Sequence, residues 1–225
     1  ILEEGLIGGV AWSPRRTQGV MFKASPLLKI GKTNFIYDIT NVFNWKDYMN
    51  NYFSDGMFNI PRNDTIHVWE LNFEHNYVEI HEAEDFKTPE NVYTFPFVNV
   101  NRYNPFYIQM PLQIKCSNGD TLTVNRTFFI DTGMSWDIAI KYPAEELDFF
   151  NKREDAVWTR FINKYHRHYT VNATAFDDFK MDSLRIYTFD YEDNVHSKYL
   201  IGLNFLKRFN VFFDMKNRQL GLQPI

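Results

Sequence analysis

The stretch Phe128–Ser135 reads FFIDTGMS, and the rest of the chain is best read outward from it. Three apolar residues, Phe128, Phe129 and Ile130, run straight into Asp131-Thr132-Gly133. This is the pattern of a buried strand that ends by presenting a carboxylate, with a glycine that lets the backbone turn tightly around it. A carboxylate at the end of an apolar strand is costly unless it is hydrogen-bonded or shares a proton. That cost makes Asp131 a candidate for chemistry. The competing reading of the same residues is an ordinary strand closed by an Asx-type turn.

Composition narrows the setting of that carboxylate. The chain has 225 residues, enough for one large domain or two small lobes with a real core. Aromatic residues make up 18% of it, with 22 Phe and 13 Tyr, a weighting that favours strands over helices. The net charge is −4 and no basic block occurs, which argues against nucleic acid or an anionic membrane as partner. No apolar run reaches the length of a transmembrane helix. The single cysteine, Cys116, excludes an internal disulfide and a cysteine-rich metal site, and reads as a strand residue before a turn.

Read from its start, the chain opens on a glycine-rich segment (Gly5, Gly8, Gly9, Gly19) that suggests a hairpin tip or loop, as in a trimmed fragment or a frayed terminus. Residues 27–39 predict a β-hairpin turning at Gly31-Lys32, and NWKDYMNNYF (44–53) a short helix before Asp55-Gly56. Two strands, 66–73 and 77–81, flank Glu74-His75-Asn76; the acidic run 82–92 reads as a linker between lobes. Further strands follow through TFPFVNV, FYIQMPLQIKC and TLTVNRTFFI, with a hairpin turn at Ser117–Asp120, and then SWDIAI. Residues 143–168 carry helical features: Pro143 at a first helical position, early acids, late Lys and His, and Val157, Phe161 and Tyr165 on one face. The chain closes with an apolar run into Gly202, a short helix, and two strands about Met215-Lys216-Asn217. LNFEHNYVEI (71–80) and FDMKNRQLGL (213–222) echo one another without a gap, as two similar halves would.

Asp131-Thr132-Gly133 on a strand, followed by Leu200-Ile201-Gly202 and then Asn204-Phe205-Leu206, resembles one lobe of an aspartic protease of the pepsin and retropepsin clan, in particular the secreted two-lobed retropepsin-like proteins of bacteria. The similarity spans roughly residues 50–135 and 199–225. It implies a mainly β fold of acid-protease-like closed barrel or sandwich lobes. Residues 1–85 would form an incomplete first lobe, and residues 86–225 a second lobe carrying D-T-G and a helical insertion. It also implies a hydrolase acting on a peptide or protein substrate, secreted or periplasmic, with no metal or cofactor. In this clan two carboxylates about 3 Å apart share a proton, because like charges that close cannot both ionise. A water activated between them attacks the scissile carbonyl. By resemblance Asp131 is one of the two acids, Thr132 braces the floor of the site, and Gly133 lets substrate approach. Ile201 and Gly202 pack behind the turn, with Ser135 and Asn204 as supporting residues.

Two departures qualify that expectation. No second D-T-G or D-S-G occurs; Asp38 follows an apolar run but is itself followed by Ile39-Thr40. The second acid would then come from an upstream segment or from a symmetry mate in a homodimer. Nor does any glycine fall between Gly133 and Gly202, where this clan usually carries a glycine-rich flap. The alternative is a catalytically inactive relative that binds peptides or serves in assembly. A different class, an aromatic-rich β-module for sugars, is also consistent with the composition. His166-Arg167-His168 reads as a solvated helix end, since i,i+2 histidines on a helix do not face one another.

Overall fold

Strands dominate because buried and exposed residues alternate along the chain with the period of a pleated backbone. Between Tyr107 and Lys115, buried Ile108, Met110, Leu112 and Ile114 alternate with Gln109, Gln113 and Lys115 at the surface. A computed structural model describes Ile60 and residues 64–99, 106–161, 164–176, 178–190 and 197–225, and the backbone of five strands between residues 6 and 43. The chain divides into two compact units, Ile1–Ile66 and His67–Ile225.

In the first unit, β1 (Leu6–Trp12), β2 (Thr17–Phe22), β3 (Leu27–Ile30), β4 (Thr33–Ile36) and β5 (Thr40–Phe43) make two antiparallel sheets, β1-β2-β5 and β3-β4. The hairpin expected at 27–39 is the β3–β4 pair, with Ile30 opposite Thr33. Gly8 and Gly9 lie within β1 beside a register shift, and not at a hairpin tip. Asp38, the proposed helix at 44–53 and Asp55-Gly56 fall outside the described residues.

The second unit holds β6 (His67–Asn72), β7 (Tyr77–Glu82), β8 (Tyr93–Pro96), β9 (Tyr107–Lys115), β10 (Thr121–Asp131), β11 (Ile138–Lys141), α1 (Leu147–Asn151), β12 (Val157–Phe161), β13 (Lys164–Ala175), β14 (Phe179–Phe189), β15 (Tyr199–Gly202), α2 (Leu203–Leu206), β16 (Phe209–Asp214) and β17 (Gln219–Pro224). One sheet runs β12-β13-β14-β11-β15-β10-β9. A further pairing of β13 with β9, from Asn172↔Lys115 to Ala175↔Leu112, closes that sheet on itself. The result is a barrel with β12 as an outlying strand, which leaves few open edges. The fold is thus mainly β, with a closed barrel.

The helical insertion expected at 143–168 is not there. Among the described residues of that range only Leu147–Asn151 is helical, and from Val157 onward the chain forms a β-hairpin, β12 to β13. An apolar spacing of four residues fits a strand as well as a helix. The choice falls to pairing: β13 is hydrogen-bonded to β12 on one side and to β14 on the other, and β-branched Val157, Thr159, Thr170 and Val171 suit the pleat. His166 and His168 consequently sit on a strand, not at a helix end.

The other sheet runs β7-β6-β16-β17-β8, so residues 83–92 connect two strands of one sheet. Here the sequence echo becomes geometry. Aligning LNFEHNYVEI with FDMKNRQLGL sets Asn72 against Asp214 and, one step further out, Glu70 against Phe212. β6 and β16 are antiparallel neighbours, and Glu70 pairs directly with Phe212, flanked by Trp69↔Phe213 and Leu71↔Val211. A local two-fold therefore passes between Glu70 and Phe212. Both turns obey it. Asn72 Oδ1 accepts the His75 N–H at 2.8 Å, and Asp214 Oδ1 accepts the Asn217 N–H at 2.9 Å. Asn76 and Arg218, at equivalent positions, both adopt positive φ, 58° and 54°.

Glu146, just before α1, ties together the two strands that carry the D-T-G and the L-I-G motifs. Its carboxylate accepts from Arg126 Nε of β10 at 2.8 Å and from the Tyr199 hydroxyl of β15 at 2.5 Å. Burial pushes its pKa up, but the two donors outweigh burial and hold it below the ordinary 4.5. A carboxyl depressed in the folded state adds stability above its unfolded pKa and loses it as pH falls. Glu146→Gln should therefore cost about 1–2 kcal/mol at pH 7 by weakening charged hydrogen bonds. Urea unfolding at a series of pH values checks this, with the deficit shrinking towards zero below the ordinary carboxyl pKa.

Candidate active site

Asp131 is the last residue of β10, half-buried, where a run of apolar residues delivers it. β15 lies parallel to β10 with Phe129↔Leu200, Ile130↔Ile201 and Asp131↔Gly202 in register. β11 pairs with the opposite edge of β15. The segment from Thr132 to Asp137 must therefore pass across the end of β15 to reach its place.

That crossing is tight and specific. The N–H groups of Gly202, Leu203 and Asn204 donate to the carbonyls of Asp137 (2.9 Å), Met134 (2.6 Å) and Trp136 (3.1 Å). Asn204 Nδ2 donates to the Ser135 carbonyl within the crossing. A Cβ at Gly202 would stand 2.2 Å from the Trp136 carbonyl oxygen and 2.8 Å from that of Met134. Backbone occupies the space of a side chain, so glycine is required. Ile201 is fully buried beneath.

The turn itself is an Asx turn. Gly133 N–H donates to Asp131 Oδ1 at 3.0 Å, and Met134 N–H to the Asp131 carbonyl at 3.2 Å. Both readings of the motif therefore coincide, a local turn and a presented carboxylate. Burial raises the Asp131 pKa above its ordinary 3.8; the Gly133 N–H and the Lys141 ammonium act in the opposite sense. Burial wins. Thr132, Gly133 and Ser135 are exposed, and among the described residues the Thr132 hydroxyl makes no hydrogen bond.

Several supporting residues escaped the sequence reading. Buried Asp137, at the start of the crossing's far end, accepts the Arg185 N–H at 3.1 Å and lies 3.5 Å from Arg208 Nη2. Arg208 lies just past the C-cap of α2, so this ion pair ties the strand after the turn to the helix after Gly202. No local sequence signal marks the pair, because the two residues are far apart in sequence. An aromatic wall stands behind the turn: Trp136 packs on Phe189 at 4.7 Å and Tyr187 at 5.4 Å, with Met134 and Phe129 against the same cluster. Histidines two apart share one face of a strand, so His166 packs on Phe189 at 4.3 Å and His168 on Tyr187 at 5.1 Å. Between Gly133 and Gly202, in place of a glycine-rich segment or a long helical insertion, the chain thus supplies short α1 and the β12–β13 hairpin, the latter joined to the turn through Trp136 and His166.

No family model and no curated protein sequence matches this chain. Solved structures do. Aspartic proteinase from Irpex lacteus is similar with a TM-score of 0.55 and 12% identity, over 98% of this chain and 82% of that one. A retropepsin-like aspartic protease from Rickettsia conorii aligns with a TM-score of 0.38 and 20% identity, over 61% of this chain and 95% of that one. At such an identity the likeness to the Irpex lacteus proteinase is one of fold, and the fold is of the pepsin type.

Two substitutions test the geometry of the turn. Gly202→Ala should cost about 1–3 kcal/mol or more by forcing backbone apart, lowering Tm by roughly 2–4 °C per kcal/mol. Asp131→Asn should stabilise the protein at neutral pH. A carboxyl raised in the folded state contributes fully below its unfolded pKa and loses that contribution as pH rises through the folded value. Thermal melts should show wild type and Asp131→Asn coinciding near pH 3 and the variant melting higher at pH 7.

Proposed function

We propose that this chain is an aspartic-type endopeptidase in which Asp131 is one of two carboxylates that activate a water on a peptide bond. One observation carries the reading: in a pepsin-type fold, Asp131 stands half-buried at the end of β10, its carboxyl raised by burial, on a turn built around Gly202. Raised carboxyls of this sort serve acid–base chemistry well, because they keep a proton available at mildly acid pH. The substrate is then a peptide or protein. Thr132 braces the site once a facing segment is in place, and the β12–β13 hairpin serves as the flap. The second carboxylate comes from residues outside those described or from a second copy of the chain. Residues 1–85 act as the degenerate lobe and 86–225 as the catalytic one, in a secreted or periplasmic setting.

A second reading has its own support. Among the described residues, the charged side chain that acts on Asp131 is Lys141, a cation, where a proton-sharing dyad calls for a carboxylate. That favours a catalytically inactive relative that binds peptide or serves in assembly.

Digestion of an unfolded protein between pH 4 and 6 separates the two. An endopeptidase should lose about 10²–10⁴-fold in rate on Asp131→Asn, with circular dichroism unchanged. Undiminished cleavage by the variant overturns the catalytic assignment. A wild-type protein that binds peptide but leaves it uncut supports the inactive relative.

A further inference from the structure

We propose that the β6–β7 hairpin carries a binding site for one divalent transition-metal ion of the zinc class, formed by Glu70, Glu79 and His81. Cross-strand register creates the juxtaposition. Glu70 of β6 lies directly opposite Glu79 of β7, and His81 follows two residues later, so all three project from one face of the pair. Their ligand atoms all lie within 4.8 Å of one another.

Chemistry and surroundings both suit a cation. Two carboxylates and one imidazole are hard to borderline donors, a mixture that zinc and its neighbours accept. Glu70 is buried, and its two oxygens are already divided by role. Oε1 accepts from Asn72 Nδ2 at 2.8 Å and lies 3.3 Å from the Tyr77 hydroxyl. Oε2 faces His81 Nε2 at 2.7 Å. Outer partners thus orient the carboxylate and leave the oxygen beside His81 to be a ligand. Phe86 packs on the His81 ring at 5.1 Å and on Phe212 at 5.6 Å, which fixes the imidazole from behind.

Bound to a tetrahedral ion at about 2.0–2.1 Å, two ligand atoms stand about 3.3 Å apart. Glu70 Oε2 and His81 Nε2 need to separate only slightly to reach that distance. Exposed Glu79 closes the remaining gap by a rotamer change, and water completes the shell. Because β7 is the outer strand of its sheet, the ion would staple that edge to the interior strand β6.

The test uses the full chain, stripped with chelator, and Zn²⁺ alone as the probe at pH 7. Calorimetry should show one ion per chain with a rise in Tm, and Glu79→Gln and His81→Ala should each weaken binding at least about tenfold. His75→Ala, at the neighbouring exposed histidine, should bind as wild type does. Glu79→Gln alters an exposed side chain, so its fold is not at risk should His81→Ala fail to fold. Absence of stoichiometric binding, or binding unchanged by Glu79→Gln, overturns the proposal and leaves Glu70–His81 as a plain ion pair. This outcome is independent of proteolysis, since neither Glu79 nor His81 belongs to the Asp131 site.

Discussion

A peptide backbone laid where a side chain would be is the constraint on which the rest of this structure depends. Residues 134–137 cross the end of β15 so closely that only a hydrogen atom fits at Gly202. The crossing orients three carbonyls onto three successive N–H groups and leaves Asp131 at the mouth of the resulting turn. Parallel pairing of β10 with β15 needs that route, because β11 can reach the far side of β15 only by passing over its end. The buried Asp137–Arg208 pair and the Trp136 wall then hold both ends of the crossing. The position of Asp131 is a product of packing at some distance from its own carboxyl.

Around Asp131 two physical demands compete. Burial favours the neutral acid, while the Gly133 N–H and Lys141 favour the anion. A half-buried acid whose carboxyl is raised destabilises the fold at neutral pH, and such groups cluster at sites where they are used. Under the proposed function that use is catalysis, and the cation at Lys141 is the main dissonance with it. The two readings of the protein turn on which of these outweighs the other.

Much of this was legible in the residues. Phe128–Gly133 announced its strand and turn because apolar run, acid and glycine each have a distinct local consequence. The hairpins at 67–82 and 209–224 were readable for the same reason, and their echo proved to be a two-fold axis between Glu70 and Phe212. Residues 143–168 misled because a spacing of four fits both periods, and pairing with β14, which lies beyond them in sequence, settles the matter. His166 and His168 were misplaced with them. Asp137 and Arg208 stayed hidden, since an ion pair across 71 positions leaves no local pattern. The Glu70–Glu79–His81 group needed register, and register follows from the turn at 73–76 only once both strand ends are known.

The pairing of β6 with β16 also shapes how the chain is made. His67–Asn72 has one neighbour close behind it in β7, but its other edge waits for residues 209–214. At ribosomal speeds of about 5–20 residues per second, the intervening stretch of about 140 residues keeps that edge open for roughly 7–30 s. An unpaired edge is a template for foreign strands, and contacts so distant in sequence form slowly even after release. The two-fold that completes the sheet is therefore unavailable until residues 209–214 have been made.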